Sequence, residues 1–164
     1  MSADSAPEPH DAHHAWGLLG WLALTFAASA GALVVSVDGW YAGLAKPTWN
    51  PPASLFGPVW TTLYVMMALA AWLIWREGGW RANRPALLLF LLQWALNAAW
   101  TPLFFGLHRP GLAFVEILAL WGALLATIVA FWRKSPKAAA LLIPYLLWVS
   151  FAAILNATIW RMNP

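Results

Sequence analysis

Long apolar runs separated by short polar breaks dominate the pattern of this chain. A transmembrane helix needs about 20 mostly apolar residues to cross a hydrocarbon core of about 30 Å. Regular helix is expected through each run because a backbone in lipid must satisfy its own hydrogen bonds. The runs predicted as transmembrane helices are Trp16–Val37, Leu55–Trp75, Ala86–Phe105, Leu112–Trp132 and Ala138–Trp160.

The breaks between the runs indicate how the helices are connected. The later connections are short, so sequential helices are expected to be antiparallel neighbours. The first connection, residues 38–54, is longer and rich in Pro and Trp, which favours an ordered lid over a flexible tether. The pattern predicts an all-α integral membrane bundle of five transmembrane helices over residues 16–164, with a long structured loop between helices 1 and 2. Residues 1–15 are predicted to be a disordered tail.

Composition supports a membrane protein and excludes several other classes. Of the 164 residues, 62% are apolar and 9% are charged. A soluble domain has about 45–50% apolar and about 25% charged residues. The nine cations belong to breaks between apolar runs and do not form a nucleic-acid-binding face. The chain has no cysteine, so it has no disulfide and no thiolate site.

Catalytic and metal-binding motifs give little support for a conventional enzyme. The sequence contains no HExxH motif, Gly-rich phosphate loop or ordered Ser/His/Asp set. His10, His13 and His14 lie in the acidic tail, where adventitious metal binding is the better interpretation, and His108 is interpreted as a turn residue. No metal site and no required cofactor are predicted.

The cations are distributed unevenly between the two predicted sides of the membrane. Six lie on the side of the N-terminus and three on the other side. The positive-inside rule therefore favours a cytoplasmic N-terminus in a bacterial membrane. The first group is Arg76, Arg81, Arg84, Arg133, Lys134 and Lys137, and the second is Lys46, Arg109 and Arg161.

Several polar and aromatic residues share one depth in the predicted bundle. Helix direction and the rise per residue place them in the half of the bilayer beneath the first loop. This coincidence predicts an aromatic cavity with polar groups in its wall, capped by that loop. The residues are Trp60, Asn97, Trp100, Glu116 and Asn156.

The intramembrane polar residues leave two interpretations open. Gln93, Asn97 and Thr101 form one stripe at i, i+4 and i+8, which either hydrogen-bonds neighbouring helices or contacts a ligand. Glu116 is interpreted as a packing residue in preference to a chemical one. Pro102 is expected to kink its helix and so to open space between helices.

The first loop and three of the runs carry motifs of spaced Trp, Tyr, Pro and Asn residues. The first loop carries Trp40-Tyr41 and Lys46-Pro47-x-Trp49-x-Pro51-Pro52, and the second run carries Gly57-x-x-Trp60-x-x-Leu63-Tyr64. The third run carries Gln93-x-x-x-Asn97-x-x-Trp100-x-Pro102, and the fifth carries Pro144-Tyr145-x-x-Trp148-x-x-x-Ala152-x-x-Leu155-Asn156. Together these motifs resemble those of the TspO/MBR family, which comprises the tryptophan-rich sensory proteins and the mitochondrial translocator protein, or peripheral benzodiazepine receptor.

The resemblance implies a five-helix membrane protein, commonly a homodimer, that binds porphyrins such as protoporphyrin IX and haem, sterols, or aromatic drugs. It implies a receptor or carrier, and the alternatives are a photo-oxidative porphyrin-degrading enzyme and a transporter of sterol-like or amphipathic solutes. Trp60 and Trp148 match the tryptophans implicated in light-dependent porphyrin degradation. The ligand-binding residues that the resemblance implies are Tyr41, Trp49, Trp60, Asn97, Trp100, Trp148 and Ala152.

One motif departs from the family pattern. The sterol motif of animal members has an apolar residue, a Tyr and a basic residue. Here Leu155 and Arg161 are in place, but Ala157 occupies the Tyr position. The departure argues against cholesterol transport by this chain.

Overall fold

Helices account for nearly all of the structure. The computed structural model describes residues 9–30 and 39–164, and these ranges contain helices and turns without a β-strand. Within these ranges, four helices are long and apolar enough to cross a membrane. The all-helical membrane bundle predicted from the sequence is confirmed. The helices are α1 Pro9–Ala27, α2 Trp40–Gly43, α3 Ala53–Trp75, α4 Gly79–Thr101, α5 Pro110–Trp132 and α6 Pro136–Met162.

The first helix differs from its prediction at both ends. It begins at Pro9, inside the predicted tail, because Pro is compatible with a first helical turn. It ends at Ala27, where a turn at residues 28–29 interrupts the run that the sequence predicts as one helix, and Ala30 is helical again. At this end the Thr25 and Ser29 hydroxyls donate to the carbonyls of Leu22 and Phe26, at 3.1 and 2.6 Å, and such bonds compete with the helical ladder. Residues 1–8 and 31–38, parts of the predicted tail and first span, lie outside the described residues.

The end of α4 changes its helical type at the proline. Residues Pro102–Gly106 form a π-helical turn, and the Leu107 N–H donates to the Pro102 carbonyl at 2.9 Å. Pro102 lacks an N–H and cannot continue the α-helical ladder. The expected disturbance at this residue is therefore present, as a widened turn that carries Phe104 and Phe105.

The bundle packs around small residues and a few buried rings. α3 contacts α1, α4 and α6, and α5 contacts α4 and α6. Ala68, Ala70 and Ala71 are fully buried on α3, which lets neighbouring backbones approach closely. Phe90 of α4 is also fully buried, and its ring meets Trp21 of α1 edge-on with the centroids 5.6 Å apart.

The first loop is tied to the far end of the chain. The Asn163 side chain accepts a hydrogen bond from the Ala45 N–H and donates to the Ala45 carbonyl, both at 3.0 Å. Trp40 also stacks on His108 with the ring centroids 4.4 Å apart. These contacts position the loop over one end of the bundle, in agreement with the ordered loop that the sequence predicts.

The turn between α3 and α4 is held by one amide. The Asn83 Nδ2 lies 2.9 Å from the Ile74 carbonyl oxygen, 2.8 Å from that of Glu77 and 3.1 Å from that of Gly79. The Asn83 side chain is buried. It therefore satisfies carbonyls that the end of α3 would leave without partners.

Candidate functional site

A cavity of about 550 Å³ lies beneath the first loop, in one half of the bundle. Nine aromatic side chains line it, together with aliphatic and small side chains and a few amide and hydroxyl groups. The principal lining residues are Phe26, Ser29, Tyr41, Asn50, Phe56, Trp60, Thr61, Tyr64, Asn97, Trp100, Thr101, Phe104, Phe105, Trp148, Ala152 and Asn156.

Tyr41 and Asn50 form the loop side of the cavity. The Tyr41 hydroxyl donates to Oδ1 of Asn50 at 3.2 Å, and the Asn50 Nδ2 donates to the Pro51 carbonyl at 3.1 Å. Burial raises the pKa of the Tyr41 phenol above its ordinary value, and the hydrogen bond to Asn50 offsets part of that rise. Tyr41 is therefore a neutral donor at physiological pH, anchored against Phe105 with the ring centroids 5.3 Å apart.

Trp60 of α3 lies in an aromatic and polar cluster in the cavity wall. Its ring stacks on Tyr64, one turn away, with the centroids 5.3 Å apart. It also meets Tyr145 of α6 edge-on at 6.1 Å. The Tyr64 hydroxyl donates to Oδ1 of Asn97 at 3.4 Å, so α3 and α4 are joined at the cavity wall.

Trp100 is held by a hydrogen bond to α6. Its Nε1 donates to Oδ1 of Asn156 at 3.1 Å. The Asn156 Nδ2 donates to the Pro110 carbonyl at the start of α5, at 2.8 Å. The Trp100 ring also stacks on Phe104 of the π-helical turn, with the centroids 4.9 Å apart. One buried amide thus connects α4, α5 and α6 and fixes the plane of an indole in the cavity wall.

Trp148 and Ala152 form the α6 side of the cavity, one helical turn apart. The Trp148 ring meets Phe56 of α3 edge-on, with the centroids 5.8 Å apart. The small side chain of Ala152 leaves open space beside this ring. The two tryptophans implicated by the family resemblance, Trp60 and Trp148, are therefore in the wall of one cavity, on different helices.

The structure brings most of the predicted ligand-binding residues together. The cavity wall includes every one of them except Trp49, and their role in binding stays a prediction. Trp49 packs edge-on against Phe151 of α6 at 5.9 Å and is 46% exposed. Its place in the loop is therefore beside the cavity wall, with Phe151 next to Trp148.

The intramembrane polar residues divide into two groups. Asn97 and Thr101 line the cavity, whereas Gln93 and Glu116 do not. Asn97 also hydrogen-bonds across helices, so both interpretations of the stripe apply to it. Gln93 is fully buried, and neither its amide nor the Glu116 carboxyl has a hydrogen-bond partner among the described residues.

Several lining residues are not among the site residues that the sequence predicts. Tyr64 belongs to the motif of the second run and follows Trp60 by one helical turn, and this spacing is the signal that places it on the same face. Phe26 and Ser29 enter the wall where α1 ends. No sequence pattern signalled them because the first apolar run predicts an uninterrupted helix.

The described residues contain no group of three or more potential metal ligands. His108 stacks on Trp40 and does not line the cavity. The side chains of His10, His13 and His14 lie outside the described part of the chain. The cavity itself offers flat ring faces with a few hydrogen-bonding groups, which suits a large, planar, amphipathic molecule.

Comparison with known proteins agrees with this architecture. The sequence profile of the TspO/MBR family matches residues 18–161. This range includes the whole cavity and all but the last residue of the four membrane-length helices, α3 to α6.

Individual relatives come from animals and bacteria. The human translocator protein is 45% identical over 150 residues, covering 87% of this chain and 89% of its own. The tryptophan-rich protein TspO of Chlorobaculum tepidum is 45% identical over 127 residues, covering 76% of this chain and 80% of its own. The tryptophan-rich sensory protein of Cereibacter sphaeroides is 38% identical over 147 residues, covering 87% and 91%.

Proposed function

The chain belongs to the TspO/MBR family, and from this premise we propose that it is a membrane receptor or carrier for tetrapyrroles such as protoporphyrin IX and haem, and for other amphipathic aromatic ligands. It is an integral membrane protein. The cavity beneath the first loop supports the proposal because six of the residues that the family resemblance implies lie in its wall: Tyr41, Trp60, Asn97, Trp100, Trp148 and Ala152.

The chemistry of the wall suits a macrocycle. Indole faces stack on flat π-systems, and Trp60, Trp100 and Trp148 come from three different helices around the cavity. Asn97 can hydrogen-bond a carboxylate or carbonyl, and Tyr41 supplies a neutral hydroxyl from the loop. A volume of about 550 Å³ is within the usual range of small-molecule sites, about 300–1,000 Å³.

Titration with protoporphyrin IX in the dark tests the proposal. Added protoporphyrin IX should quench the Trp fluorescence of the purified protein in detergent, and the quenching should saturate. Trp60→Ala and Trp148→Ala should each raise Kd about tenfold, because each removes an aromatic stacking surface.

Trp132→Ala is the matched control for these variants. Trp132 is 54% exposed at the opposite end of the bundle, so its loss should leave Kd unchanged. Non-saturable quenching, or equal effects of all three variants, would contradict a tetrapyrrole site in this cavity.

A second candidate function is light-dependent degradation of the bound porphyrin. The observation that favours it is the placement of Trp60 and Trp148 in the wall of the same cavity. Indole is oxidisable, so a tryptophan next to an excited porphyrin could carry radical chemistry with dioxygen as the oxidant. On this proposal the two tryptophans are the catalytic residues.

Illumination in air separates the two candidates. If the protein is a photo-enzyme, bound porphyrin absorbance should decay in the light, and Trp60→Phe or Trp148→Phe should abolish the decay while retaining dark binding. Phenylalanine keeps an aromatic face but is far less oxidisable than indole. Equal decay rates in wild type and both variants would contradict the photo-enzyme and leave the receptor as the proposed function.

The assembly and cellular setting extend this proposal. A homodimer in a bacterial membrane, with the N-terminus in the cytoplasm, is consistent with the family resemblance and with the six cations on the N-terminal side. The bound molecule is a ligand, and we propose no required cofactor, metal or nucleic-acid partner.

A further inference from the structure

A second concavity, of about 450 Å³, lies on the outer surface of the bundle between α4 and α5. It shares no lining residue with the cavity beneath the loop. Its α5 residues recur at helical spacing along one face, so the groove extends for about 16 Å along the helix. The lining residues are Leu89, Gly122, Leu125, Ala126, Val129, Ala130 and Arg133.

Small side chains create the groove. Gly122 and Ala126 are one turn apart and exposed. A Cβ atom added at Gly122 would meet nothing within 4 Å. Leu125 and Val129 flank them and are 38% and 47% exposed. The groove is therefore apolar and open to the hydrocarbon of the surrounding membrane.

One end of the groove is basic. Arg133 lines it and is exposed at the end of α5. The next residue, Lys134, lies over the start of α4, because its Nζ donates to the Ala82 carbonyl at 3.4 Å. Arg81 is exposed two turns before Leu89 on the same face of α4. The acids at this end among the described residues are Asp11 at the start of α1 and Glu77 in the turn between α3 and α4, so the cations outnumber them.

We propose that this groove binds an anionic phospholipid, with an acyl chain along Gly122 and Ala126 and the phosphate at Arg133 and Lys134. An apolar groove inside the hydrocarbon layer suits an acyl chain. Cations at the membrane interface attract an anionic headgroup, and basic sites between transmembrane helices are a recognised form of lipid site. Zwitterionic lipid offers the same chain without the net negative charge, so charge complementarity selects the anionic class.

Native mass spectrometry of the full chain in detergent, titrated with dioleoylphosphatidylglycerol or dioleoylphosphatidylcholine, tests this site. Phosphatidylglycerol should bind more tightly than phosphatidylcholine. Arg133→Gln should weaken the binding of phosphatidylglycerol about fivefold, which is the usual effect of one interfacial cation. It should leave the binding of phosphatidylcholine unchanged. Gly122→Leu should weaken the binding of both lipids because the new side chain fills the groove.

Matched controls are available elsewhere on the surface. Arg161→Gln removes an exposed cation at the opposite end, and Ala140→Leu enlarges an exposed small residue on α6. Both should retain wild-type lipid binding. Leucine also favours helix over glycine, so Gly122→Leu should still fold.

Four results would overturn the proposal. The first is equal affinity for the two lipids, and the second is an equal loss of lipid affinity in the groove variants and in the controls. The third is a change of oligomeric state by Gly122→Leu with unchanged lipid affinity, which would make the groove a contact between two copies. Inorganic phosphate should not displace the bound lipid at matched concentration, and displacement would identify a free-anion site instead.

Discussion

Replacing Asn83 with Asp should destabilise the protein by about 3–5 kcal/mol, as expected for an uncompensated buried charge. The Asn83 amide faces three carbonyl oxygens, at 2.8 to 3.1 Å. A carboxylate at the same position has no proton to donate and repels each of these oxygens. The apparent melting temperature in detergent, followed by Trp fluorescence, should fall by about ten degrees.

Asn83→Leu separates lost hydrogen bonds from added charge. The leucine leaves the same carbonyls unpaired without repelling them, so its cost should be about 1–3 kcal/mol, smaller than that of the aspartate. Asn50→Asp is the comparison, because the Asn50 amide is only partly buried and donates to a single carbonyl, that of Pro51, so the same substitution should cost less stability there. An Asn83→Asp melting temperature equal to that of wild type would show that the amide does not hold the α3–α4 turn.

The sequence was sufficient to predict four of the helices because their signal is strong. α3, α5 and α6 begin and end within about two residues of the predicted bounds, and α4 begins earlier, at Gly79. A segment that crosses the lipid must be a long apolar helix, and the polar residues that interrupt the apolar runs therefore lie in loops. The end of α1 was not predictable from hydropathy. Residues such as Thr25 and Ser29 are compatible with an apolar run, and only their bonds to backbone carbonyls distinguish the turn there.

The shared depth of the intramembrane polar and aromatic residues predicts the location of the cavity, but not every wall residue. Trp60, Asn97, Trp100 and Asn156 share a depth, and all four line the cavity. Glu116 shares that depth without lining it, because depth follows from helical rise whereas facing depends on helix rotation. Helix rotation is set by packing against neighbours, such as the hydrogen bond between α4 and α6 through Trp100.

Asn156→Leu should weaken protoporphyrin IX binding about tenfold, because Trp100 loses the acceptor that fixes its ring plane. Stability should fall by about 2–4 kcal/mol, since the Trp100 N–H and the Pro110 carbonyl both lose their partner in a buried setting. If the proposed function holds, Asn156 is predicted to be a positioning residue that acts on the ligand through Trp100. Fluorescence titration and thermal unfolding measure the two effects separately.

A double-mutant cycle with Trp100→Phe distinguishes positioning from general destabilisation. Phenylalanine keeps a ring in the wall but has no N–H to donate, so Asn156→Leu should cost little further affinity in that background. Thr158→Val is the control on α6, where the Thr158 hydroxyl bonds only its own helix at the Ile154 carbonyl. If Asn156→Leu lowers affinity equally with Trp or Phe at position 100, the amide acts on the cavity by another route. An affinity loss confined to the Trp100 background would show that one indole hydrogen bond, 3.1 Å long, couples helix packing to ligand recognition.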